Sequence, residues 1–215
     1  MRSGRKVLLV VTCLLAIASS VFWILRDQRK GPEESTALHR RVGEVMAEQT
    51  AHVVGPKGKV VIIAMDTSQE PELKTQLEAF RAKLKVLGDY ESTEQELDTK
   101  DQPKYGVGSG LSARRFVRIV KKNLDADAIV SFVGAPKLSE EDFGELKKRP
   151  RFVAESRGSD HLPPLFDNKL IEVAVVSRFV FPAPGPIDPT TPQEWFDKRY
   201  QILTAESAAS IPKPD

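Results

Sequence analysis

The stretch KVVIIAM, residues 59–65, decides the fold of this chain. Its run of apolar, mostly β-branched side chains is typical of a strand that is buried on both faces of a sheet. A second run of the same kind, DAIVSFV, occupies residues 127–133. Parallel strands of this type are joined by crossover connections that usually contain a helix, so the segments between them are expected to be helical.

Strand and helix patterns alternate on both sides of these two runs. Helices are predicted over 70–87, 112–123, 138–148 and 161–169, and further strands within 88–97, over 151–155 and over 170–177 with an extension to 181. This alternation predicts an α/β domain with a single doubly wound, mostly parallel five-stranded sheet. We expect the flavodoxin-like strand order 2-1-3-4-5, which is the common order for such a sheet.

An amphipathic helix is predicted before the first strand, within residues 33–54, because apolar side chains recur there at helical spacing. Glycine and proline at 55, 56 and 58 end it. The preferred interpretation is a helix that packs on its own domain, since the pattern is short. The alternative is a coiled-coil stalk that pairs two chains.

The composition changes after residue 181, because seven of the 15 prolines lie in the last 34 residues. Proline lacks a backbone N–H, which excludes a continuous helix or a central strand from this tail. One short helix is predicted, with Thr191 and Glu194 as a capping box. Trp195 and Phe196 follow, and they either dock on the domain or bind another protein.

The first thirty residues predict a membrane anchor. Residues 7–25 form a run of 19 side chains without a charge, between Lys6 and Arg26. As a helix they would reach about 28 Å, close to the ~30 Å hydrocarbon thickness of a bilayer. The alternative is a cleaved signal peptide, since Ala16 and Ala18 provide a small-x-small cleavage site.

The positive-inside rule separates the two orientations of this anchor only weakly, because three basic side chains lie on each side of it. Acidic residues near the span count little in this rule. The preferred orientation has the short N-terminal tail inside the cell and the body outside. We therefore expect a single-pass protein of the inner (cell) membrane with its body on the extracytoplasmic side. Cys13 is the only cysteine and excludes a disulfide within one chain.

These patterns divide the chain into four segments. They are a membrane anchor with basic flanks at 1–30, an amphipathic juxtamembrane helix with its linker at 31–58, the α/β domain at 59–181 and a Pro-rich tail with a short helix at 182–215.

The charge distribution excludes one class of partner. The chain carries 32 Lys and Arg against 30 Asp and Glu, but residues 1–30 hold six of the basic and one of the acidic side chains. Residues 31–215 therefore carry 26 basic and 29 acidic groups, a net charge of −3. Nucleic acid needs a basic face, so it is not an expected partner.

Catalytic and metal-binding motifs are missing from the sequence. The three histidines are scattered without HExxH spacing, no GxSxG elbow follows a strand, and a single cysteine cannot build a zinc–cysteine cluster. The stretch GVGSGLSARR, residues 106–115, matches neither a dinucleotide-binding fingerprint nor a P-loop, so it is predicted to be a loop that leads into a capped helix. No cofactor or metal is expected, and an enzyme is the least favoured hypothesis.

Candidate binding residues come from a general rule for open parallel sheets. Ligands bind outside the carboxyl ends of the strands, where loop amides and helix N-termini converge. This rule selects Asp66, Ser112, Arg157 and Arg178. Two guanidinium groups with nearby hydroxyls suit a small anionic or polyol ligand. The alternative is that these residues are ordinary polar caps and loops.

Three segments resemble a known fold. DADAIVSFVGAP at 125–136, PRFVAES at 150–156 and LIEVAVVSR at 170–178 are similar to the second half of one lobe of type I periplasmic-binding-protein folds. The resemblance implies strands that border a ligand cleft. Those proteins bind between two lobes, whereas this chain has length for one, so a complete cleft would require two chains to meet.

Two functional hypotheses follow. The first is a membrane-anchored, non-enzymatic binding or assembly module in an envelope complex, with Trp195 and Phe196 as partner-binding residues. The second is a small-ligand sensor or binding domain that uses Asp66, Ser112, Arg157 and Arg178.

Overall fold

The computed structural model describes residues 19–20, 35–68, 70–97 and 111–211. The chain divides into two compact units, Met1–Ala37 and Leu38–Asp215, and the second holds the sheet. Apart from residues 19–20, the predicted anchor lies outside the described residues, as do residues 106–110 of the predicted loop at 106–115. Within the described ranges, no helix has both the length and the apolar character that a bilayer crossing requires.

A six-stranded sheet forms the centre of the second unit, with the strand order β2-β1-β3-β4-β5-β6. Its strands are β1 (Lys57–Met65), β2 (Asp89–Leu97), β3 (Ala128–Ser131), β4 (Arg151–Ser156), β5 (Val173–Ser177) and β6 (Tyr200–Thr204). The strands β1 to β5 run parallel to one another, and β6 pairs antiparallel with β5.

The order of the first five strands agrees with the predicted 2-1-3-4-5, but the predicted total of five strands is wrong. The sixth strand is YQILT, a short segment with polar ends that lies between two proline-containing stretches. An edge strand needs fewer apolar residues than a central one, so its sequence carries a weaker pattern. The division of the chain into four segments stays a prediction.

Helices cover both faces of the sheet. They are α1 (described over 35–54), α2 (Pro71–Leu87), α3 (Ala113–Lys122), α4 (Glu140–Glu145), α5 (Pro163–Asp167) and α6 (Pro192–Arg199), followed by a single 3₁₀ turn at Ala208–Ser210. The α1, α2 and α6 helices contribute to one apolar core, and α3 and α5 contribute to the other.

The alternation of side chains along β1 explains why its sequence is continuously apolar. Val60 and Ile62 belong to the core with α1, α2 and α6, whereas Val61 and Ile63 belong to the core with α3 and α5. All four side chains are buried. At roughly 25 cal/mol per Å² of apolar surface removed from water, strands of this type contribute strongly to the stability of the fold.

The apolar face of α1 is buried on its own domain, as preferred from the sequence. Leu38, Val42, Val45 and Met46 are each at most 3% exposed. Arg41 also joins α1 to α6, because its Nε donates to Gln193 Oε1 at 2.6 Å. This face is therefore covered by the chain itself and does not form a stalk surface.

Candidate functional site

The loop after β3 fills the middle of the carboxyl edge of the sheet. Residues 131–136 are all buried, and the ring of Phe132 lies 5.3 Å from that of Phe80 on α2. Ser131 Oγ donates to the carbonyl of Gly134 at 2.6 Å. Because the central position is occupied by the chain itself, accessible polar groups at this edge must come from the loops after β1, β4 and β5.

Asp66 lies directly after β1 and is exposed. Its Oδ1 accepts a hydrogen bond from the backbone N–H of Ser68 at 2.9 Å, and its Oδ2 accepts from Ser68 Oγ at 2.7 Å. These two hydrogen bonds lower the pKa of Asp66 below its ordinary value. Asp66 therefore shapes the turn after β1 and presents an ionised carboxylate to solvent.

Ser112 and Arg157 are also exposed, at two different elements. Ser112 occupies the N-cap of α3 with extended backbone, but its hydroxyl makes no capping hydrogen bond to the helix. Arg157 follows the last residue of β4, and its positive charge acts on Glu155 of the same strand. Arg157 is thus a predicted binding residue whose charge acts on a second ionisable group at this edge, the carboxyl group of Glu155.

Arg178 has a structural contact inside the chain. Its Nε donates to the carbonyl of Asp197 at 2.6 Å, and its Nη2 donates to the carbonyl of Tyr200 at 2.8 Å. The guanidinium therefore joins the end of β5 to α6 and to the start of β6. These two bonds use some of the guanidinium N–H donors that a ligand at Arg178 would need.

The predicted pair Trp195 and Phe196 is divided between the core and the surface. Phe196 is 2% exposed and stacks on Tyr200 with ring centroids 5.6 Å apart. Trp195 is half-buried, with Lys198 Nζ at 5.8 Å and Arg199 Cζ at 5.2 Å from its ring centroid. Burial of Phe196 agrees with the docking interpretation, and its side chain offers no surface to a partner.

A polar cluster joins α1, α2 and β4 on one face of the sheet, and the sequence did not indicate it. Gln76 is only 5% exposed, and its Nε2 lies 3.0 Å from His39 Nδ1 and 3.4 Å from Glu155 Oε1. His39 Nε2 is in turn 3.3 Å from Glu72 Oε2. The four side chains form one connected chain of polar contacts, which we call the Gln76 cluster.

Electrostatics at the Gln76 cluster are unusual. Burial raises the pKa of Glu155 to about 7, although the hydrogen bond from Gln76 and the charge of Arg157 act in the opposite direction. Burial also raises the pKa of Tyr200 to about 12, and the carboxylates of Glu155 and Glu72 add to this increase. Glu155 therefore changes its charge near neutral pH, whereas Tyr200 stays a neutral phenol.

The arrangement provides groups for hydrogen bonding. A carboxyl group with a pKa of about 7 can accept or donate a hydrogen bond near neutral pH, and Arg157 adds fixed donors beside it. Across the described ranges, no group of three or more His, Cys, Asp or Glu side chains is placed to hold a metal ion.

A separate cavity of about 400 Å³ lies between α2 and β2. It is lined by charged side chains that include Lys74, Glu78, Arg81 and Glu94, and Arg81 forms an ion pair with Glu94 across it. None of the predicted site residues lines this cavity. Because its opposite charges are already paired in part, the lining of this cavity does not select one chemical class of ligand.

Comparison with known proteins identifies the fold. The sequence matches no protein-family model, and no curated protein is similar to it in sequence. The structure is similar to an ABC transporter solute-binding protein from Burkholderia graminis C4D1M in complex with D-arabinose, with a TM-score of 0.53 and 16% identity over 81% of this chain and 62% of that one. The arabinose-binding protein AraP from Geobacillus stearothermophilus gives 0.53 and 11%, over 81% and 63%.

A mutant XylFII–LytSN complex is also similar, with a TM-score of 0.51 and 13% identity over 79% of this chain and 68% of that one. The predicted resemblance to the periplasmic-binding-protein fold is thereby confirmed, and identities this low show the shared fold alone. The chain spans about three-fifths of the length of the Burkholderia solute-binding protein and of AraP.

Proposed function

We propose that this chain is a non-enzymatic binding domain that takes a small polar ligand, a polyol or a small anion, at the carboxyl edge of its sheet. The observation that carries the proposal is Glu155, a carboxyl group with a pKa of about 7 at the end of β4 beside the exposed Arg157. Such a pair offers both donors and an acceptor to a hydroxyl-rich ligand. The sugar-binding proteins with the same fold support this ligand class.

The proposal includes the cellular location of the protein. Residues 7–25 anchor the domain as a single helix in the inner (cell) membrane, and the body lies on the extracytoplasmic side. The length of the uncharged run supports the anchor. Protease treatment of intact spheroplasts tests this placement, because an external body is digested without lysis. Protection of the body until lysis would reverse the orientation.

Ligand binding is tested by thermal unfolding of the full chain with a panel of sugars, polyols and small anions. A ligand that binds only the native state raises the unfolding temperature by mass action. The largest shift should disappear in Arg157→Gln and in Glu155→Gln. Arg151→Gln is the matched control for the arginine, because Arg151 is exposed at the opposite end of the same strand. Glu172→Gln, at an exposed position before β5, is the control for the carboxyl group. A panel without any shift would refute the proposal.

A second function, assembly with a protein partner in an envelope complex, is supported by a different observation. Phe181 and Ile187 in the segment between β5 and α6 are 70% and 88% exposed, and Val180 is 46% exposed. Apolar side chains grouped in one segment are typical of protein contacts. The XylFII–LytSN complex is a protein assembly with a similar fold.

Crosslinking in membranes tests this assembly role. We expect the native chain to be trapped with a partner, and Phe181→Ser with Ile187→Ser to abolish the product while the domain stays folded. Val86→Ser is the control, because Val86 is 81% exposed at the end of α2. Loss of the product in the control as well, or recovery of monomer alone, would argue against assembly.

A further inference from the structure

The β2 strand forms one end of the sheet, opposite to β6. Among the described residues, β1 is the only strand that pairs with it, through an uninterrupted register from Lys57↔Asp89 to Met65↔Leu97. In a parallel ladder, alternate residues direct their N–H and C=O groups to opposite sides of a strand. About half of the residues of β2 therefore direct these groups away from β1, to a side where the described chain supplies no strand.

This edge of β2 is regular and open. The register with β1 contains no bulge, and six of the nine residues of β2 are exposed. The strand contains neither proline nor lysine, which are residues that commonly protect an edge strand from pairing with other chains. The backbone of β2 can therefore accept a further strand over most of its length.

The charge of β2 determines which strand it can accept. The strand has no basic side chain and carries four carboxylates, Asp89, Glu91, Glu94 and Glu96. Because side chains alternate between the faces of a sheet, Asp89 and Glu91 lie on one face and Glu94 and Glu96 on the other. Opposite charges across a strand pair stabilise it, and like charges destabilise it. A second copy of β2 is thus a poor partner, whereas a segment with Lys or Arg side chains is a suitable one.

The cavity between α2 and β2 provides space for side chains of an added strand. Its volume is about 400 Å³, and both Glu94 and Glu96 of β2 line it. When a peptide adds to a sheet edge, backbone hydrogen bonds hold it and pockets accept its alternate side chains. The ion pair of Arg81 with Glu94 already neutralises part of the lining. The cavity therefore supplies space, and the remaining carboxylates of β2 supply the preference for a basic segment.

We propose that the free edge of β2 binds an extended, basic segment of a partner protein, which adds to the sheet as a further strand. The backbone of the segment pairs with the outward N–H and C=O groups of β2, and its Lys or Arg side chains face the carboxylates. In the sheet, β1 and β3 separate β2 from β4, where the small-ligand site is proposed. The apolar segment between β5 and α6 lies still further along the sheet order, so this surface is independent of both proposed functions.

Binding of a synthetic peptide to the full chain in detergent micelles tests this surface. The probe has alternating Lys and Thr residues, blocked termini and the length of β2, because Thr favours strands and Lys supplies the positive charge. We expect calorimetry at low salt to detect binding. Amide hydrogen exchange, followed by NMR, should slow at alternate residues of β2, because only every second N–H of the strand lies on the free edge.

Two controls separate strand addition from simple attraction between charges. The same peptide with N-methylated backbone amides keeps its charge but has no amide hydrogens to donate, and it should bind at least about tenfold more weakly. Glu91→Gln combined with Glu96→Gln should weaken binding of the unmodified peptide by about threefold or more. Glu140→Gln combined with Glu141→Gln, at exposed positions on α4, is the matched control and should leave the affinity unchanged.

Several results would overturn the proposal. Equal binding of the unmodified and the N-methylated peptide would mean that charge alone attracts the probe, and absence of binding would exclude the surface. Slower exchange only outside β2 would place the peptide elsewhere. Protected β2 amides without peptide, together with a dimer in sedimentation experiments, would assign the edge to a second copy of this chain.

Discussion

Replacement of Glu155 by glutamine should stabilise the domain at alkaline pH, and the size of the effect follows from burial. Below pH 4.5 the carboxyl group is protonated in both the native and the unfolded chain. Between pH 4.5 and about 7 the unfolded chain releases its proton while the native chain holds it, so the free energy of unfolding decreases as the pH rises. Above pH 7 the loss is complete and amounts to about 3 kcal/mol.

Glutamine has nearly the same shape, keeps an acceptor for Gln76 and has no charge to bury. Glu155→Gln should therefore unfold at higher urea than the native domain at pH 8, with a gain of up to about 3 kcal/mol, and the difference should vanish near pH 4.5. Urea unfolding of residues 31–215, followed by circular dichroism between pH 4.5 and 8.5, measures this profile. Glu172→Gln should show no such difference. Parallel profiles for Glu155→Gln and the native domain would refute the argument that Glu155 is ionised at a desolvating position.

Three further changes test how the tail is held on the sheet. Arg178→Met removes the donors to the carbonyls of Asp197 and Tyr200, and it should lower the free energy of unfolding by about 2 kcal/mol and accelerate amide hydrogen exchange in β6. Phe196→Ala leaves a cavity in the core and should cost about 3–5 kcal/mol by urea unfolding; no change would mean that the residue is not buried. Thr191→Ala removes the hydroxyl that accepts the N–H of Glu194 at 3.2 Å, and a loss of about 1 kcal/mol is expected, with Thr191→Ser close to native stability.

The strands that carry a strong pattern in the sequence were predictable. Within these two runs, residues 60–64 and 128–133 are buried in the structure, and the face of a parallel strand that packs on helices must be apolar. β6 could not be found in the same way, because Tyr200 and Gln201 interrupt the apolar pattern and the pairing with β5 is set by tertiary contacts. A capping box at Thr191 is a local feature, and it was predicted correctly.

The candidate site was predictable only where a residue lies at a strand end. Asp66 and Arg157 follow from the rule for parallel sheets, because the strand assignment alone places them. The Gln76 cluster depends on how α1 and α2 dock on the sheet, and sequence periodicity does not contain this information. One signal was available: Glu155 lies in a buried strand two positions after Val153, which places its carboxyl group on the face that α1 and α2 cover.

Calorimetric titration tests the central claim most directly. The sugar, polyol or anion with the largest thermal shift is titrated into the native chain, Arg157→Gln and Arg151→Gln. Binding at the carboxyl edge predicts that Arg157→Gln loses at least about tenfold in affinity, the effect of one charge-assisted hydrogen bond, while Arg151→Gln binds as the native chain does. Equal affinities in all three proteins would contradict a site at this edge.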